Sequence, residues 1–381
     1  MSIQTFISIL FYLLIATVTI AMAYQVKNGY EIYGITAYDE TGNRSRISLL
    51  NRIWLTGIFA ILFLCAAFRF GIGNDYVQYT QTAHEAYVGG YVVTEIGFNW
   101  LVKLLYTLCG WECYELVFAV FSLITIVIFI KAMYDQSVNF SFSFFLFMTF
   151  GLYFQTYNTM RYYLALAITL YSMRYVLNKD IIRFVFWIVI AALFHKSVLV
   201  VIPVYLIASY AWKKWQIAVG LIGSGLCYVG KDLVLKLALK LYPSYENTIY
   251  LENSDVSLVS ILKGLAILGL YLWLRYRYKA NSRELRFYAQ LNLLSVVVCL
   301  FFSFLPVITR IAYYFSVSQI LMLPKMIAEI PEEDIKKKVT YVVIIASVIY
   351  FFAFLLTANQ PGVGLLPYRS WLFETQRYIY K

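Results

Sequence analysis

Between Tyr114 and Tyr134 the chain reads YELVFAVFSLITIVIFIKAMY, with one acidic residue at its start and one lysine near its end. A helix of about 20 apolar residues is long enough to cross the hydrocarbon core of a bilayer. A helix that is apolar on every side needs apolar surroundings on every side. This stretch therefore predicts a transmembrane helix.

Similar apolar stretches recur along the 381 residues, and the short loops between them hold most of the charge. Hydrophobic residues make up 62% of the chain and charged residues 13%, whereas soluble domains are about one-quarter charged. We predict an all-α, polytopic integral membrane protein, a single transmembrane domain over residues 1–381, with about twelve spans. The predicted spans are Gln4–Tyr24, Trp54–Phe68, Tyr114–Tyr134, Phe140–Thr156, Asn158–Leu177, Ile181–Phe194, Ser197–Ala211, Gln216–Val229, Val256–Leu274, Phe287–Leu305, Ile311–Ala328 and Thr340–Thr357.

Lysines and arginines are unevenly divided between the two sides of this topology. The richer side carries the cluster RYRYKANSRELR at residues 275–286. Because loops rich in lysine and arginine remain cytoplasmic, this side is predicted to face the cytoplasm and both termini to lie outside. The net charge of +11 is then explained by topology and by contact with anionic lipid headgroups. Nucleic acid is not an expected partner, because the sequence contains no soluble basic domain that could bind it.

The stretch Ile181–Ala211 allows two interpretations, one long tilted helix or two short spans that meet at His195. A single crossing would place Lys213, Lys214 and the basic cluster outside, so we favour two spans. Each would be about 22 Å long against a core of about 30 Å. His195 is therefore predicted to lie below the outer surface of the membrane.

Polar residues from distant parts of the sequence gather at the predicted outer face. A single arginine at a helix end is commonly a snorkelling or topology residue, but three on the face that disfavours positive charge indicate an anion site. Guanidinium groups match phosphate oxygens in paired geometry and stay charged. A polyprenyl diphosphate suits such a site, since its tail needs lipid and its headgroup needs cations. The polar residues that gather at the predicted outer face are Arg69, Asp75, Tyr76, Glu95, Arg161, His195, Lys196 and Arg310.

Three of these residues are candidates for accepting a proton: Asp75, Glu95 and His195. Asp75 has an alternative role as the counter-ion of an arginine. We expect His84 to be a surface residue in the loop. The tyrosines on the same face, Tyr76, Tyr79, Tyr87, Tyr91, Tyr162 and Tyr163, fit either an aromatic belt or stacking against sugar rings, and the sequence does not separate the two.

Two outer segments are expected to form substructures of the domain. Residues 69–113 are too long and too polar for a simple hairpin. Residues 231–255 begin with KDLVLKLALKL, which predicts a helix lying in the membrane interface or a solvent-exposed loop helix. Cys109 and Cys113 are more readily packing residues than a disulfide.

Six motifs, taken in order, resemble the EpsG-like branch of the Wzy-type bacterial polysaccharide polymerases, from about Trp54 to the C-terminus. They are RFGIGNDYVQY, EIGFNWLVKLL, NTMRYYLALAITL, FVFWIVIAALFHKSVLVVIP, TRIAYYF and LLPYRSW. Two positions depart from the family's pattern: Asn74 stands where threonine is common, and Ile96 where proline is common. Both departures concern turn geometry more than chemistry.

The resemblance implies a fold similar to C-type membrane glycosyltransferases. We expect no cofactor or metal, because arginines can do the charge work of a divalent ion and the sequence has no DxD-type carboxylate pair. It implies a polymerase of the bacterial inner (cytoplasmic) membrane that joins sugar repeat units carried on undecaprenyl diphosphate at the outer face, in O-antigen, capsule or exopolysaccharide synthesis. His195, Glu95 and Asp75 would be catalytic. Substrate would contact Arg69, Tyr76, Arg161, Lys196, Arg310 and Tyr368, and a chain-length regulator and a flippase would be partners.

Transport is the main alternative, because a flippase for lipid-linked oligosaccharides or a solute transporter would also have many spans and intramembrane charges. Transporters, however, place polar residues near the midplane and often contain repeats. Here the charged motifs gather at one face, and no repeat is apparent. A membrane acyltransferase is a poorer fit, because Lys196 follows His195.

Overall fold

The computed structural model of the protein describes residues 2–27, 44–241, 258–306, 308–360 and 363–373. These ranges are all-helical with no β-strand, as predicted. The helices are α1 (Ile3–Tyr24), α2 (Arg44–Ala67), α3 (Tyr76–Val88), α4 (Ile96–Cys109), α5 (Tyr114–Gln136), α6 (Phe140–Thr149), α7 (Leu152–Gln155), α8 (Met160–Leu177), α9 (Ile181–Ala192), α10 (Val201–Ala208), α11 (Lys214–Val229), α12 (Lys231–Leu241), α13 (Leu258–Tyr278), α14 (Arg283–Phe301), α15 (Ile308–Ser316), α16 (Gln319–Ala328) and α17 (Glu333–Thr357).

Within the described ranges, 7 helical segments are long and apolar enough to cross a membrane, or up to 8 if α11 and the bent helix after it form one span. Several of these segments carry large apolar side chains on their outer surface, such as Ile345, Ile349 and Leu356 of α17. Outward-facing apolar rows of this kind are stable in lipid and not in water. The chain is a membrane protein.

The predicted number of spans is not confirmed, because several predicted spans consist of shorter helices. The predicted span Phe140–Thr156 is divided between α6 and α7 at Gly151, whose φ of 72° lies in the left-handed region. The chain likewise leaves α9 at Ala192 and resumes with a 3₁₀ helix, Lys196–Val200, before α10. The predicted break at His195 is therefore confirmed, while the total of about twelve stays a prediction.

The segment 69–113 is largely helical, and its assignment as an outer substructure stays a prediction. It contains α3 and α4, which end at Gly89 (φ 82°) and Gly110 (φ 75°) in left-handed caps. His84 is not an exposed loop residue: it lies on α3, and its Nδ1 is 2.8 Å from Oε2 of Glu112. Cys109 and Cys113 are free thiols, as expected.

The chain forms two compact units, which are described separately. Unit 1 consists of Met1–Tyr171, Phe186–Lys196 and Pro331–Lys381, and unit 2 of Ser172–Val185 and Ser197–Ile330. Each unit is therefore built from separate stretches of sequence. The prediction that the whole chain forms a single transmembrane domain would require the two units to associate, and it stays a prediction.

Unit 1 is held together by contacts between its two ends. The hydroxyl of Tyr12 on α1 donates to the carbonyl of Leu365 at 2.7 Å. Residues after α2 and residues near the C-terminus form a short antiparallel ladder, in which Phe70 N–H donates to Arg369 O and Trp371 N–H donates to Phe68 O. The final segment is therefore part of the core of unit 1.

Unit 2 packs around α14, which contacts α11, α13, α15 and α16. The amide of Asn292 donates to Gly264 O, and Gln319 donates to Asn292 Oδ1, both at 2.8 Å. The residues after α11 turn by 86° into α12, so the predicted helix at KDLVLKLALKL is confirmed. Its position in the membrane interface stays a prediction, and residues 242–255 lie outside the described residues.

We predict that Gly73→Ala destabilises the protein much more than Gly110→Ala. Both glycines have positive φ, so alanine costs about 1–2 kcal/mol at either position. A Cβ on Gly73 would also lie 2.3 Å from Tyr157 O, whereas nothing described lies within 4 Å of one on Gly110. The overlap should add roughly 1–3 kcal/mol. Thermal unfolding of the purified protein measures the difference, and equal losses of stability would contradict the packing at Gly73.

Candidate functional site

Glu95 stands immediately before α4 in extended backbone, with φ −69° and ψ 151°. Its carbonyl accepts hydrogen bonds from Phe98 N–H (3.1 Å) and Asn99 N–H (3.3 Å), which begins the helix. Its side chain does not cap the helix. The carboxylate is therefore available to groups on other segments.

Arg161, the second residue of α8, forms an ion pair with that carboxylate through Nη1 and Oε2. Its guanidinium carbon lies 5.5 Å from the ring centre of Tyr79 and 5.4 Å from that of Phe98. The side chains of Arg161 and Glu95 are 20% and 12% exposed. The pair is thus largely shielded from water, which strengthens the attraction between its two charges.

His195 and Lys196 approach the other oxygen of Glu95. The backbone N–H of Lys196 donates to Oε1 at 3.1 Å, and His195 Nδ1 lies 3.8 Å from the same atom, beyond hydrogen-bond length. The ring of Tyr162 meets the imidazole edge-on, with centroids 5.4 Å apart. One carboxylate therefore connects α4, α8 and the turn after α9.

Gly97 makes this arrangement sterically feasible. Its N–H donates to Leu193 O at 2.8 Å, and a Cβ at this position would lie 2.6 Å from that same oxygen. Only glycine allows so close an approach of two backbones. The glycine of the EIGFN motif therefore brings the start of α4 against the turn that carries His195.

Arg69 lies in a second, buried group and is 1% exposed. Its guanidinium lies between Phe118, at 4.9 Å, and Tyr157, at 5.3 Å. Nη1 donates to Ala66 O and Ser122 Oγ, whereas Nε and Nη2 have no hydrogen-bond partner among the described residues. Burial lowers the pKa of Arg69, because the charged form loses its hydration.

Tyr76 and Tyr368 belong to the same group. Tyr76 stacks on Phe118 with ring centres 4.4 Å apart, and burial raises its pKa. The hydroxyl of Tyr368 donates to Cys65 O at 3.0 Å. Asp75 precedes α3 and is half-buried, and its side chain does not cap that helix. The proposed contacts of these residues with substrate stay predictions.

A cluster of aromatic rings lies between Arg69 and Arg161, both in unit 1. Phe118, under Arg69, meets Tyr79, under Arg161, edge-on at 6.4 Å. Each guanidinium thus contacts the negative ring faces of one shared aromatic cluster. Arg310 is half-buried on α15 and belongs to unit 2, so its convergence with Arg161 stays a prediction.

The tyrosines of the predicted outer face fall into two classes. Tyr76, Tyr79, Tyr162 and Tyr163 are buried, whereas Tyr91 is 89% exposed. Two of the buried rings contact site residues directly: Tyr79 packs against Arg161, and Tyr162 packs against His195. Sequence reasoning did not identify Phe98 and Phe118 as contacts of the arginines, and only their proximity to charged motifs could have indicated it.

Comparison with known proteins gives one match. A family model described as the EpsG family matches residues 52–370, which is most of the chain. No curated protein matches the chain, and no solved structure does either. The matched range includes every predicted site residue from Arg69 to Tyr368.

We predict a large energetic coupling between Glu95 and Arg161. In a double-mutant cycle with Glu95→Gln and Arg161→Met, the coupling free energy should be about 1–3 kcal/mol, because removing one partner leaves the other charge shielded from water. Unfolding of the purified protein in detergent measures each corner of the cycle.

The pair Asp180 and Arg183 is the matched control. Arg183 Nε lies 3.3 Å from Asp180 Oδ2, and the side chain of Arg183 is 71% exposed. The coupling free energy of this pair should therefore be about 0.5 kcal/mol or less. A coupling at Glu95 and Arg161 no larger than that of the control would show that the bridge contributes little to the site.

Proposed function

Because the chain belongs to the EpsG family, we propose that it is a membrane glycosyltransferase that polymerises lipid-linked oligosaccharide repeat units into a surface polysaccharide. The family supports polysaccharide polymerisation as the activity. The observation that carries the proposal is the convergence of Arg161, Glu95 and the His195–Lys196 turn from three separate segments.

The proposed reaction is block transfer between two molecules linked to undecaprenyl diphosphate. The growing chain is the donor, and the non-reducing end of a new repeat unit is the acceptor. The acceptor hydroxyl oxygen bonds to the anomeric carbon of the donor, and the bond from that carbon to the diphosphate oxygen breaks. The proton of the hydroxyl goes to a protein base, and undecaprenyl diphosphate leaves with the bonding electron pair.

Negative charge develops on the diphosphate as it leaves, so fixed cations near it accelerate the reaction. In our proposal, Arg161 binds the diphosphate, since its side chain is 20% exposed and aromatic rings hold it in place. Arg310 would add charge from unit 2, and Lys196 would add a third cation. Arg69, being buried, would act with Tyr76 and Tyr368 at the inner wall of the site.

We assign the base role first to His195. Both carboxylate oxygens of Glu95 are already engaged, one by Arg161 and one by the Lys196 N–H. Its contacts fit a group that orients Arg161 and the His195 turn. Asp75 is the second candidate for the base.

The lysine and arginine distribution of the sequence predicts the sidedness of the protein in the membrane. We accordingly propose that the reaction takes place at the outer face of the bacterial inner membrane, where lipid-linked units delivered by a flippase would be used. A chain-length regulator would be the other partner.

The test is an assay with purified protein in proteoliposomes and lipid-linked repeat units, in which polymerisation gives a ladder of products. Arg161→Ala and Arg310→Ala should each reduce the rate by about 10²–10³-fold, and His195→Ala by about 10²–10⁴-fold. Arg161→Lys keeps the charge but loses the paired geometry, so it should fold and still be slow. Arg183→Ala, on an exposed side chain, is the matched control and should keep the ladder.

A normal ladder from folded Arg161→Ala and His195→Ala proteins would rule out the assigned roles. Movement of lipid or solute across the membrane without a new glycosidic bond would instead identify a transporter.

A further inference from the structure

Unit 2 contains an apolar groove of about 580 Å³ that the proposed reaction does not use. It runs between α11 and α14, and residues of the linker between α10 and α11 also line it. Its walls include Ile217, Gly220, Leu221, Ser224, Leu294 and Val297. The spacing on α11 follows one face of the helix.

The helix α11 is unusual in its packing. It is apolar, yet none of its residues, all of them described, is buried. No described atom lies within 4 Å of a Cβ built on Gly220, although Gly220 lines the groove. Protein interiors rarely leave such space empty, and within a bilayer the filling material is hydrocarbon. An acyl chain matches the shape and chemistry of the groove.

Two lysines directly follow the linker residues that line the groove. Lys213 and Lys214 directly follow Trp212, which lines the groove and whose Nε1 donates to Ile207 O at 3.0 Å. Both lysines are exposed, and neither forms an ion pair with a carboxylate in the part of the chain that the structure describes. A tryptophan next to lysines is typical of the headgroup layer, and exposed ammonium groups there attract phosphate.

We propose that this groove binds one acyl chain of an anionic phospholipid, whose phosphate headgroup is held by Lys213 and Lys214. The charge distribution of the sequence predicts that these lysines lie on the cytoplasmic side, where the leaflet is rich in anionic lipid. A polyprenyl diphosphate would instead need its headgroup at the opposite face, at the proposed catalytic site. The groove is thus a structural lipid site separate from catalysis.

Substitutions on α11 test the acyl-chain part. Gly220→Leu adds a side chain in the groove at a position where a Cβ meets nothing described within 4 Å. Gly223→Leu is the matched control, because it lies on the same helix, outside the groove lining, and a Cβ there meets equally open space. The full-length proteins are purified in mild detergent, incubated with phosphatidylglycerol and washed, and the retained lipid is measured by native mass spectrometry. We expect retention by the unaltered protein and by Gly223→Leu, and its loss in Gly220→Leu.

Substitutions of lysine test the headgroup part. The double variant Lys213→Gln and Lys214→Gln should lose the preference for phosphatidylglycerol over phosphatidylcholine while still retaining lipid. The matched control is Lys236→Gln with Lys240→Gln on α12, which removes two exposed lysines elsewhere and should keep the preference. Equal retention by Gly220→Leu and the unaltered protein would overturn the proposal, as would an unchanged preference in the first double variant or a polyprenyl lipid in the groove.

Discussion

One largely shielded carboxylate determines how the candidate site is arranged. Glu95 contacts Arg161 with one oxygen and the Lys196 N–H with the other, and it lies 3.8 Å from the imidazole of His195. Without its negative charge, the arginine and the turn would have no common anchor. Because water is mostly excluded, these contacts fix the positions of Arg161 and the His195–Lys196 turn before any ligand binds. Electrostatic catalysis requires such preorganisation.

Arg69 and Arg161 have different surroundings and so different capacities. Arg161 has an ion-pair partner and a side chain that is 20% exposed, whereas Arg69 is buried with two nitrogens that have no hydrogen-bond partner among the described residues. Aromatic faces compensate part of the lost hydration of Arg69. A buried guanidinium with unused N–H donors would be stabilised further by a nearby anion. Because Arg69 and Arg161 pack against one aromatic cluster, an anion bound near either arginine could affect both.

The sequence was sufficient for the helical class, for the membrane assignment, and for the break at His195, because each depends on apolar length and charge placement along the chain. Charge placement also suggested that Glu95, Arg161 and His195 share a face, and these three do meet. It did not show that α3 and α4 occupy residues 69–113, because tyrosines and threonines there masked the helical pattern. Charge placement also could not distinguish the buried Arg69 from the partly exposed Arg161. The burial of Arg69 depends on Phe118 and Tyr157, which are distant from it in the sequence.

The ladder between residues after α2 and residues near the C-terminus has a consequence for biogenesis. The hydrogen bonds of Phe68 and Phe70 are made with Trp371 and Arg369, and the whole of unit 2 is synthesised between these two stretches. During translation, the Arg69 segment would leave the ribosome and enter the membrane long before its pairing partner exists. Unit 1 can therefore reach its final form only after almost the entire polypeptide has been inserted, and until then the neighbouring arginine must be accommodated by lipid headgroups, water or the insertion machinery.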